Sequence, residues 1–275
     1  MVELRQWRKG DQRAPHKPLL LLLALGAWQN ERILRWSAVK QELGSLIEQF
    51  TTSSKRSASY PFIRLQSDGL WHVEGFESIK GDARVSELNE VNPIGKLSSE
   101  IVSRIENNPS AFKELVESIL DEFPSGLHSE LLDCVQIQLH SSTNSAQNER
   151  NRDPDFRRVV LNAYSHACSV CGYGGRMDGT TAGLEAAHIQ WHAFNGPDTV
   201  NNGMALCSIH HKLFDLGSFA IDDTMRLIIS SRANGPGLDG VLFKHAKQQI
   251  DLPRLTENHP SQEYFNWHRR EVFKT

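Results

Sequence analysis

The stretch from His166 to Phe219, HACSVCGYGGRMDGTTAGLEAAHIQWHAFNGPDTVNNGMALCSIHHKLFDLGSF, contains three of the four cysteines of this 275-residue chain. They form two short pairs, one of two cysteines and one of a cysteine and a histidine, each with two intervening residues. Two such pairs converge on a tetrahedral metal ion, and a thiolate-rich ligand set favours zinc. Redox-active cysteines or inert buried thiols are the alternatives. The pattern predicts a structural zinc site with four ligands: Cys168, Cys171, Cys207 and His210.

The cysteines also bear on the compartment in which the protein works. Thiolates that bind zinc imply a reducing compartment, so we expect a cytoplasmic protein rather than a secreted one. The fourth cysteine, Cys134, lies in an apolar pattern of helical spacing, and we expect it to be buried.

Several residues of this stretch are ones that a structural zinc site does not need. His188 lies near the end of the short apolar segment LEAAHI (184–189), which predicts a strand, and Asn202 precedes the second metal-binding pair. His211 and Asp215 are four residues apart in the predicted helix SIHHKLFDLG, so they share one face and could hold a divalent cation. A neutral imidazole at position 188 could accept a proton from water, because the pKa of histidine is about 6.5. Together these are the groups that phosphodiester hydrolysis requires.

From Cys168 to Phe219 the chain resembles the HNH, or ββα-metal, nucleases, in the zinc-knuckle form found in many restriction enzymes. The resemblance implies that His188 is the general base that activates the attacking water. It implies that Asn202 braces the loop and orients that imidazole. His211 and Asp215 would be the ligands of a catalytic Mg²⁺ or Mn²⁺, with His211 as the metal-binding histidine of the helix.

One position departs from the family pattern. Many members have an acid or a histidine directly before the base as a further metal ligand, whereas this chain has Ala187. Glu185 shares a strand face with Ala187 rather than with His188. It is either a substitute ligand or a structural acid.

The N-terminal stretch from Arg13 to Trp28, RAPHKPLLLLLALGAW, admits three interpretations: a secretion signal, a membrane anchor or a buried helix. Its apolar run is far shorter than the roughly 20 residues that span a bilayer. The basic segment before the run is long for a signal peptide and includes acidic residues. We predict a buried helix with Pro18 in its first turn, and no membrane segment.

The chain is long enough for two domains. The polar segment 140–153 has no large apolar residue, which predicts a linker between an N-terminal domain, 1–139, and a C-terminal nuclease domain, 154–275. We expect an α+β protein whose N-terminal domain is mainly helical with a small β-hairpin or sheet. The predicted elements are a helix at 37–50 capped by Ser37, a hairpin over 60–75 that turns at Asp68-Gly69, and helices near 97–106, 109–122 and 125–138.

Two motifs of the N-terminal domain, APHKPLLLLLALG (14–26) and SYPFIRLQSDGLWHV (59–73), resemble the sulfur-binding domains of type IV restriction endonucleases. Those domains recognise DNA in which a sulfur replaces one non-bridging phosphate oxygen. The resemblance implies that His16 and Lys17 contact DNA and that Tyr60 and Pro61 form an apolar cup for the sulfur. Arg13 and Arg84 are further candidate phosphate contacts, on charge and position alone.

The net charge of −3 does not exclude a nucleic-acid partner, because the local charge on one face decides such binding. Sulfur is larger, more polarizable and less strongly hydrated than oxygen. An apolar cup would therefore accept a P–S group and penalise P–O, whose oxygen would lose its water without compensation.

Three functions fit the sequence. The first is a type IV restriction endonuclease that cuts near phosphorothioated sites in double-stranded DNA, with two copies of the chain for a double-strand cut. The second is the same nuclease with a domain that reads another mark, such as a modified cytosine, in an aromatic pocket. The third is a zinc-containing DNA-binding protein without cutting activity. The tryptophans available for an aromatic pocket are Trp7, Trp28, Trp36 and Trp71.

Overall fold

The structure is a computed structural model that describes residues 15–52, 58–76, 84–108, 110–139 and 154–275. The chain divides into two compact units, Met1–Thr143 and Asn144–Thr275. The segment 140–153, predicted to be a linker, lies outside the described residues, and so does Arg13.

The first unit is mainly helical and contains a small sheet, as the sequence predicts. Strands β1 (Leu34–Arg35), β2 (Trp71–Glu74) and β3 (Ile94–Leu97) form a three-stranded antiparallel sheet with β3 in the centre. The described helices of more than one turn are α1 (His16–Gln29), α2 (Trp36–Phe50), α3 (Ser59–Arg64), α4 (Val85–Val91), α5 (Ser99–Asn107), α6 (Ala111–Leu120) and α7 (His128–Val135).

Helix α1 forms the centre of the first unit. Its residues from Pro18 to Ala27 are all buried, which confirms the predicted buried helix with Pro18 in its first turn. The helix approaches α7 so closely at Gly26 that a Cβ there would lie 1.9 Å from the carbonyl oxygen of Val135. Among the described residues, no helix is both long and apolar enough to cross a membrane.

The predicted hairpin over 60–75 is wrong. Residues 59–64 form α3, a 3₁₀ turn follows at Leu65–Asp68, and only the second arm, β2, is a strand. Pro61 lies in the first turn of α3, where its missing N–H is not required. The helix places Phe62 against the indoles of Trp36 and Trp71, with ring centroids 5.2 and 5.7 Å away. This aromatic packing decides the conformation, and it joins residues far apart in sequence.

Two smaller expectations also need correction. Helix α2 begins at Trp36, so Ser37 is not its cap; the N–H of Ser37 donates to Oδ1 of Asn92 at 2.9 Å. This cap comes from a distant segment, which a local pattern cannot indicate. Cys134 is exposed rather than buried. It lies on the outer side of α7, whose apolar pattern the sequence identified correctly.

The second unit is built around a ββα arrangement. Strands β6 (Leu184–His188) and β7 (Gly203–Cys207) pair antiparallel, and helix α9 (Ser208–Asp215) follows β7 directly. These elements confirm the strand and helix predicted for this stretch, and the α+β class. The surrounding elements are α8 (Pro154–Ala163), β4 (Arg176–Met177), β5 (Thr180–Thr181), β8 (Phe219–Ile221), β9 (Leu227–Ile229), α10 (Leu238–Val241) and α11 (Gln262–Glu271).

Candidate active site and recognition site

The β6–β7 pair presents different residues on its two faces. His188 pairs with Gly203, where a Cβ would lie 2.4 Å from Val160 of α8, so this side of the pair faces α8. Glu185 lies on the alternate face and its carboxylate contacts α9. His188, the last residue of β6, is thus flanked by α8. His211, the candidate metal ligand of α9, instead contacts the opposite face of the strand through Glu185.

The four predicted zinc ligands lie together at the other end of the β6–β7 pair. The three cysteine sulfurs and one ring nitrogen of the histidine all lie within 4.8 Å of one another. Nδ1 of His210 lies 3.2 Å from Sγ of Cys207, and its Nε2–H donates to the carbonyl of Val241 at 3.0 Å. This outer hydrogen bond leaves Nδ1 directed at the sulfurs, as in histidines that bind metals. The donor set and its convergence fit a tetrahedral zinc ion.

The side chains of Cys168 and Cys207 are hydrogen-bonded within this cluster. A hydrogen bond from the Cys168 thiol lowers the pKa of Cys207 to about 3. The same interaction, together with burial, raises the pKa of Cys168. The cluster therefore favours negative charge on one sulfur, and thiolate is the form that binds metal.

His211 is held between two carboxylates. Its Nδ1–H donates to Oε2 of Glu185 at 2.6 Å, and its Nε2 lies 3.4 Å from Oδ2 of Asp215. The other oxygen of Glu185 accepts from the Ser208 hydroxyl at 2.6 Å. The hydrogen bond from His211 and then that from Ser208 lower the pKa of Glu185 to about 2. Nε2 of His211 and the carboxylate of Asp215, whose side chain is 1% exposed, thus face each other and could hold a cation.

His188 contacts an acid that the sequence did not indicate. Its Nε2 lies 2.7 Å from Oδ1 of Asp198, and its ring stacks on Phe156 of α8 with centroids 4.0 Å apart. Asp198 lies in the irregular loop between β6 and β7. A loop has no fixed side-chain periodicity, so spacing could not assign this residue to the site.

Asn202 ties this loop together. Its side chain is fully buried and accepts a hydrogen bond from the N–H of Gln190 at 2.8 Å. Its Nδ2 donates to the carbonyls of Gln190 and Pro197 at 2.9 and 3.0 Å. These bonds connect both ends of the loop, and Pro197 directly precedes Asp198.

In the first unit, Tyr60 and Pro61 lie in the first turn of α3 rather than at the head of a strand. Pro61 is buried, whereas Tyr60 is 47% exposed. The guanidinium carbon of Arg64 lies 4.0 Å from the centroid of the Tyr60 ring, on the same helix. Arg64 was not among the predicted site residues, because an i+4 spacing indicates a contact only on a helix and the sequence predicted a strand here.

His16 and Lys17 occupy the first turn of α1, which packs on α3. Nζ of Lys17 lies 2.6 Å from Oδ2 of Asp68, and this carboxylate has no exposed surface. His16 is half-buried, and burial lowers its pKa. Arg84 is exposed and directly precedes α4. Lys17, one of the predicted DNA contacts, thus also forms an ion pair with Asp68 inside the protein.

Comparison with known proteins assigns both units. Residues 1–140 match the family described as "ScoMcrA-like, DNA sulfur-binding domain", and residues 168–222 match the family "HNH endonuclease". A comparison with curated proteins finds no match.

Several solved structures are similar to parts of the chain. The sulfur binding domain of ScoMcrA complexed with phosphorothioated DNA is 25% identical, with a TM-score of 0.40, over 48% of this chain and 90% of that chain. The corresponding domain of SprMcrA, also with phosphorothioated DNA, is 22% identical, with a TM-score of 0.41, over 48% and 87%. The modification dependent TagI restriction endonuclease is 21% identical, with a TM-score of 0.34, over 49% of this chain and 44% of that chain.

Proposed function

This chain belongs to the ScoMcrA-like DNA sulfur-binding domain family and carries an HNH endonuclease domain, and we propose that it is a modification-dependent restriction endonuclease. It binds double-stranded DNA that carries a phosphorothioate and hydrolyses phosphodiester bonds nearby. The observation that carries the proposal is the presence of a sulfur-binding domain and a DNA-cleaving domain in one chain.

In the sulfur-binding unit, α1 and α3 supply the contacts. Tyr60 and the edge of Pro61 form the apolar contact for sulfur, while Arg64 over the tyrosine ring holds the remaining charge of the phosphorothioate. His16 and Lys17 contact the DNA backbone from the start of the neighbouring helix. Arg13 and Arg84 add phosphate contacts on the basis of charge. Sulfur favours such a site over oxygen because its desolvation costs less.

In the nuclease unit, His188 is the general base and Asn202 braces the loop beside it. Nε2 of His211 and the carboxylate of Asp215 would hold Mg²⁺ or Mn²⁺, and Glu185 fixes the His211 ring through Nδ1. This arrangement makes Glu185 an orienting acid rather than a replacement for the ligand missing at Ala187. The bound cation would stabilise the charge that develops on the leaving oxygen.

The zinc site completes the nuclease unit as a structural element. Three cysteines and His210 bring together the start of α9, the end of β7 and the segment after α8. Zinc thiolates suit a reducing compartment, and we propose a cytoplasmic enzyme on this ground. Cleavage of both DNA strands would use one active site per strand, which a homodimer provides.

A reader of modified bases is the less favoured alternative. A flipped base needs an aromatic pocket that is open to solvent. Trp36 and Trp71 are buried in the aromatic cluster with Phe62, and Trp28 packs on Phe112 at 5.6 Å. Trp7 lies outside the described residues. Trp36 and Trp71 thus serve the core of the unit, and the half-buried Trp28 packs against a second ring, which favours the backbone sulfur as the recognised feature.

The test uses two matched duplexes that differ by a single P–S link, with Mg²⁺ or Mn²⁺ present. We expect cleavage of the phosphorothioated duplex and little cleavage of the unmodified one. His188→Ala should abolish cleavage and retain the gel shift with the modified duplex, because it removes the base and leaves the recognition unit intact. Equal cleavage of both duplexes would contradict the sulfur specificity, and binding without cleavage by the wild type would contradict the nuclease mechanism.

A further inference from the structure

His188 and Asp198 are in contact at the end of β6, where the proposed function places the general base. We propose that Asp198 is a positioning residue of the nuclease: its carboxylate holds the His188 ring in one tautomer and stabilises the imidazolium that forms during the reaction. This inference rests on the proposed function, in which His188 is the general base. The resemblance to the HNH nucleases assigns no role to Asp198.

The geometry selects the nitrogen that acts as the base. A neutral imidazole has one N–H donor and one acceptor nitrogen, whereas an ionised carboxylate only accepts. At 2.7 Å from Oδ1 of Asp198, Nε2 of His188 must therefore carry the hydrogen. Nδ1 is then the atom that accepts a proton. The fixed tautomer follows the logic of the Ser-His-Asp triad, in which a buried Asp orients the base.

The burial of the pair explains why an acid is needed. The side chains of His188 and Asp198 are 10% and 16% exposed, and the Phe156 ring covers one face of the imidazole at an interplanar angle of 13°. An imidazolium in this position has lost most of its hydration, which is costly without a counter-charge. The carboxylate of Asp198 supplies that charge at hydrogen-bonding distance.

An O–H bond of the attacking water breaks, its proton moves to Nδ1 of His188, and the oxygen forms a bond to phosphorus. The opposite P–O bond breaks, and its electron pair leaves with the departing oxygen. The negative charge of Asp198 offsets the positive charge of the imidazolium until the ring releases its proton to solvent.

Other titratable groups lie near the His188 ring or on the elements that flank it. His192 approaches edge-on, with ring centroids 6.2 Å apart. On α8, Phe156 lies between Asp155 and Arg157. Asp155 pairs with Arg158. Arg157 donates to the carbonyl of Leu184. On β6 itself, Glu185 lies on the opposite face and accepts from His211 (2.6 Å). Asp198 thus bonds to the His188 ring, whereas Asp155 bonds to Arg158 and Glu185 bonds to His211.

The loop keeps Asp198 in this position. Nδ2 of Asn202 donates to the carbonyl of Pro197, the residue before Asp198, and to that of Gln190 at the start of the loop. Asn202 therefore acts on the base through the acid: it fixes the loop, and the loop presents the carboxylate to His188.

The substitution Asp198→Asn tests the proposal in the full-length protein, because it keeps the shape and removes the charge. We expect cleavage of phosphorothioated DNA to slow by about 100-fold or more, by analogy with triad enzymes. The acidic limb of the pH–rate profile should move to lower pH by about one unit, because the imidazolium loses its counter-charge. Asp198→Glu should restore part of the rate. The matched control is Asp251→Asn, which removes an exposed carboxylate of the same unit and should leave rate and profile unchanged.

A slower rate with an unmoved pH profile would mean that Asp198 only supports the fold, and a rate within about twofold of wild type would also overturn the proposal. A readout that needs no cleavage is ¹⁵N NMR of the histidine rings, with the His188 signals assigned from their loss in His188→Ala. The proposal requires the Nε2–H tautomer in the wild type and a mixture of tautomers in Asp198→Ala. Finding Nδ1–H at His188 in the wild type would overturn it even if the protein cut no DNA.

Discussion

The carboxylate of Glu185 lies 2.6 Å from Nδ1 of His211, on the side of the ring opposite to Asp215. The bond crosses from strand β6 to helix α9 and fixes the ring so that Nε2 faces Asp215. Carboxylates in this outer position orient metal-binding histidines and increase their basicity. The hydrogen bond between Glu185 and His211 thus joins β6 to α9 and orients a proposed ligand of the divalent cation.

Replacement of Glu185 by Gln should weaken metal binding without removing a ligand. We expect the Mn²⁺ concentration for half-maximal cleavage to rise by about 10- to 100-fold, as for other outer-shell carboxylates. Calorimetric titration of Mn²⁺ into the protein should show the same loss of affinity. Glu257→Gln changes an exposed acid of the same unit and serves as the control. An unchanged metal dependence in Glu185→Gln would show that the carboxylate does not support a metal ligand.

The proposed zinc site uses three of the four cysteines, so substitutions can distinguish Cys134 from the proposed ligands. The purified wild-type protein should contain a single zinc ion per chain, and Cys171→Ala should lose it and unfold at a lower temperature. Cys134→Ala, which changes the exposed cysteine of the first unit, should retain both the zinc and the stability. Metal analysis and thermal unfolding provide the two measurements. Full zinc content in Cys171→Ala would contradict the ligand set.

These features differ in how far the sequence could predict them. Short-range spacing identified the cysteine pairs and the His211–Asp215 face, because two residues within a knuckle or one helical turn have a fixed geometry. The strand and helix of the ββα unit followed from periodicity. Asp198 lies in a loop without periodicity, so its contact with His188 depends on a chain path that only the folded structure shows.

Contacts between distant segments also explain why the predicted hairpin and the predicted helix cap of the first unit were wrong. Residues 59–64 have the composition of a strand, yet they form a helix because Phe62 fills the space between Trp36 and Trp71. The side chain of Asn92, rather than that of Ser37, accepts from an N–H in the first turn of α2. In both cases a contact between distant segments outweighs a local preference.

Lys17 and Asp68 form an ion pair that complicates any test of DNA binding. Asp68 has no exposed side-chain surface, so Lys17→Ala would leave a buried charge without its counter-ion. We expect this change to destabilise the first unit by about 3–5 kcal/mol. The double variant Lys17→Met, Asp68→Asn removes both charges and should recover most of the stability. Urea unfolding followed by fluorescence gives the comparison.

The double variant then isolates the role of Lys17 in DNA binding. If Lys17 contacts the DNA backbone, the double variant should fold and yet bind the phosphorothioated duplex more weakly, with a smaller dependence of affinity on salt. Wild-type affinity in the double variant would show that Lys17 acts only through Asp68.

Gly196 has no room for a side chain. A Cβ at this position would lie 1.9 Å from the carbonyl oxygen of Gln190 and 2.9 Å from Nδ2 of Asn202. Gly196→Ala should therefore displace the loop and reduce cleavage at least tenfold while binding of phosphorothioated DNA is retained. Gly240→Ala, where a Cβ meets no atom within 4 Å, is the control of the same unit. Equal cleavage by both variants would show that the loop tolerates displacement.

His268 of α11 is buried against the end of α9. Its ring stacks on Phe214 with centroids 3.7 Å apart and an interplanar angle of 2°, and its Nε2–H donates to the carbonyl of Phe214 at 3.0 Å. Burial lowers the pKa of His268 to about 3. The ring is therefore neutral in the folded protein over most of the acidic range, whereas the same histidine in the unfolded chain accepts a proton at about pH 6.5.

This shift predicts acid sensitivity of the second unit. Between pH 6.5 and 3 the unfolded chain binds more protons at His268 than the folded one, so stability is highest above pH 6.5 and falls as the pH decreases. The loss should be about 3 kcal/mol at pH 4.5, at about 1.4 kcal/mol per unit. His268→Phe keeps the ring stacking and should remove this part of the loss, since the Phe214 carbonyl still accepts from the N–H of Gly217. Hydrogen exchange of α9 and α11 at pH 7 and 4.5 measures the effect, with His192→Phe, at an exposed position, as the control. The same acid-induced loss in wild type and His268→Phe would show that other groups cause the sensitivity.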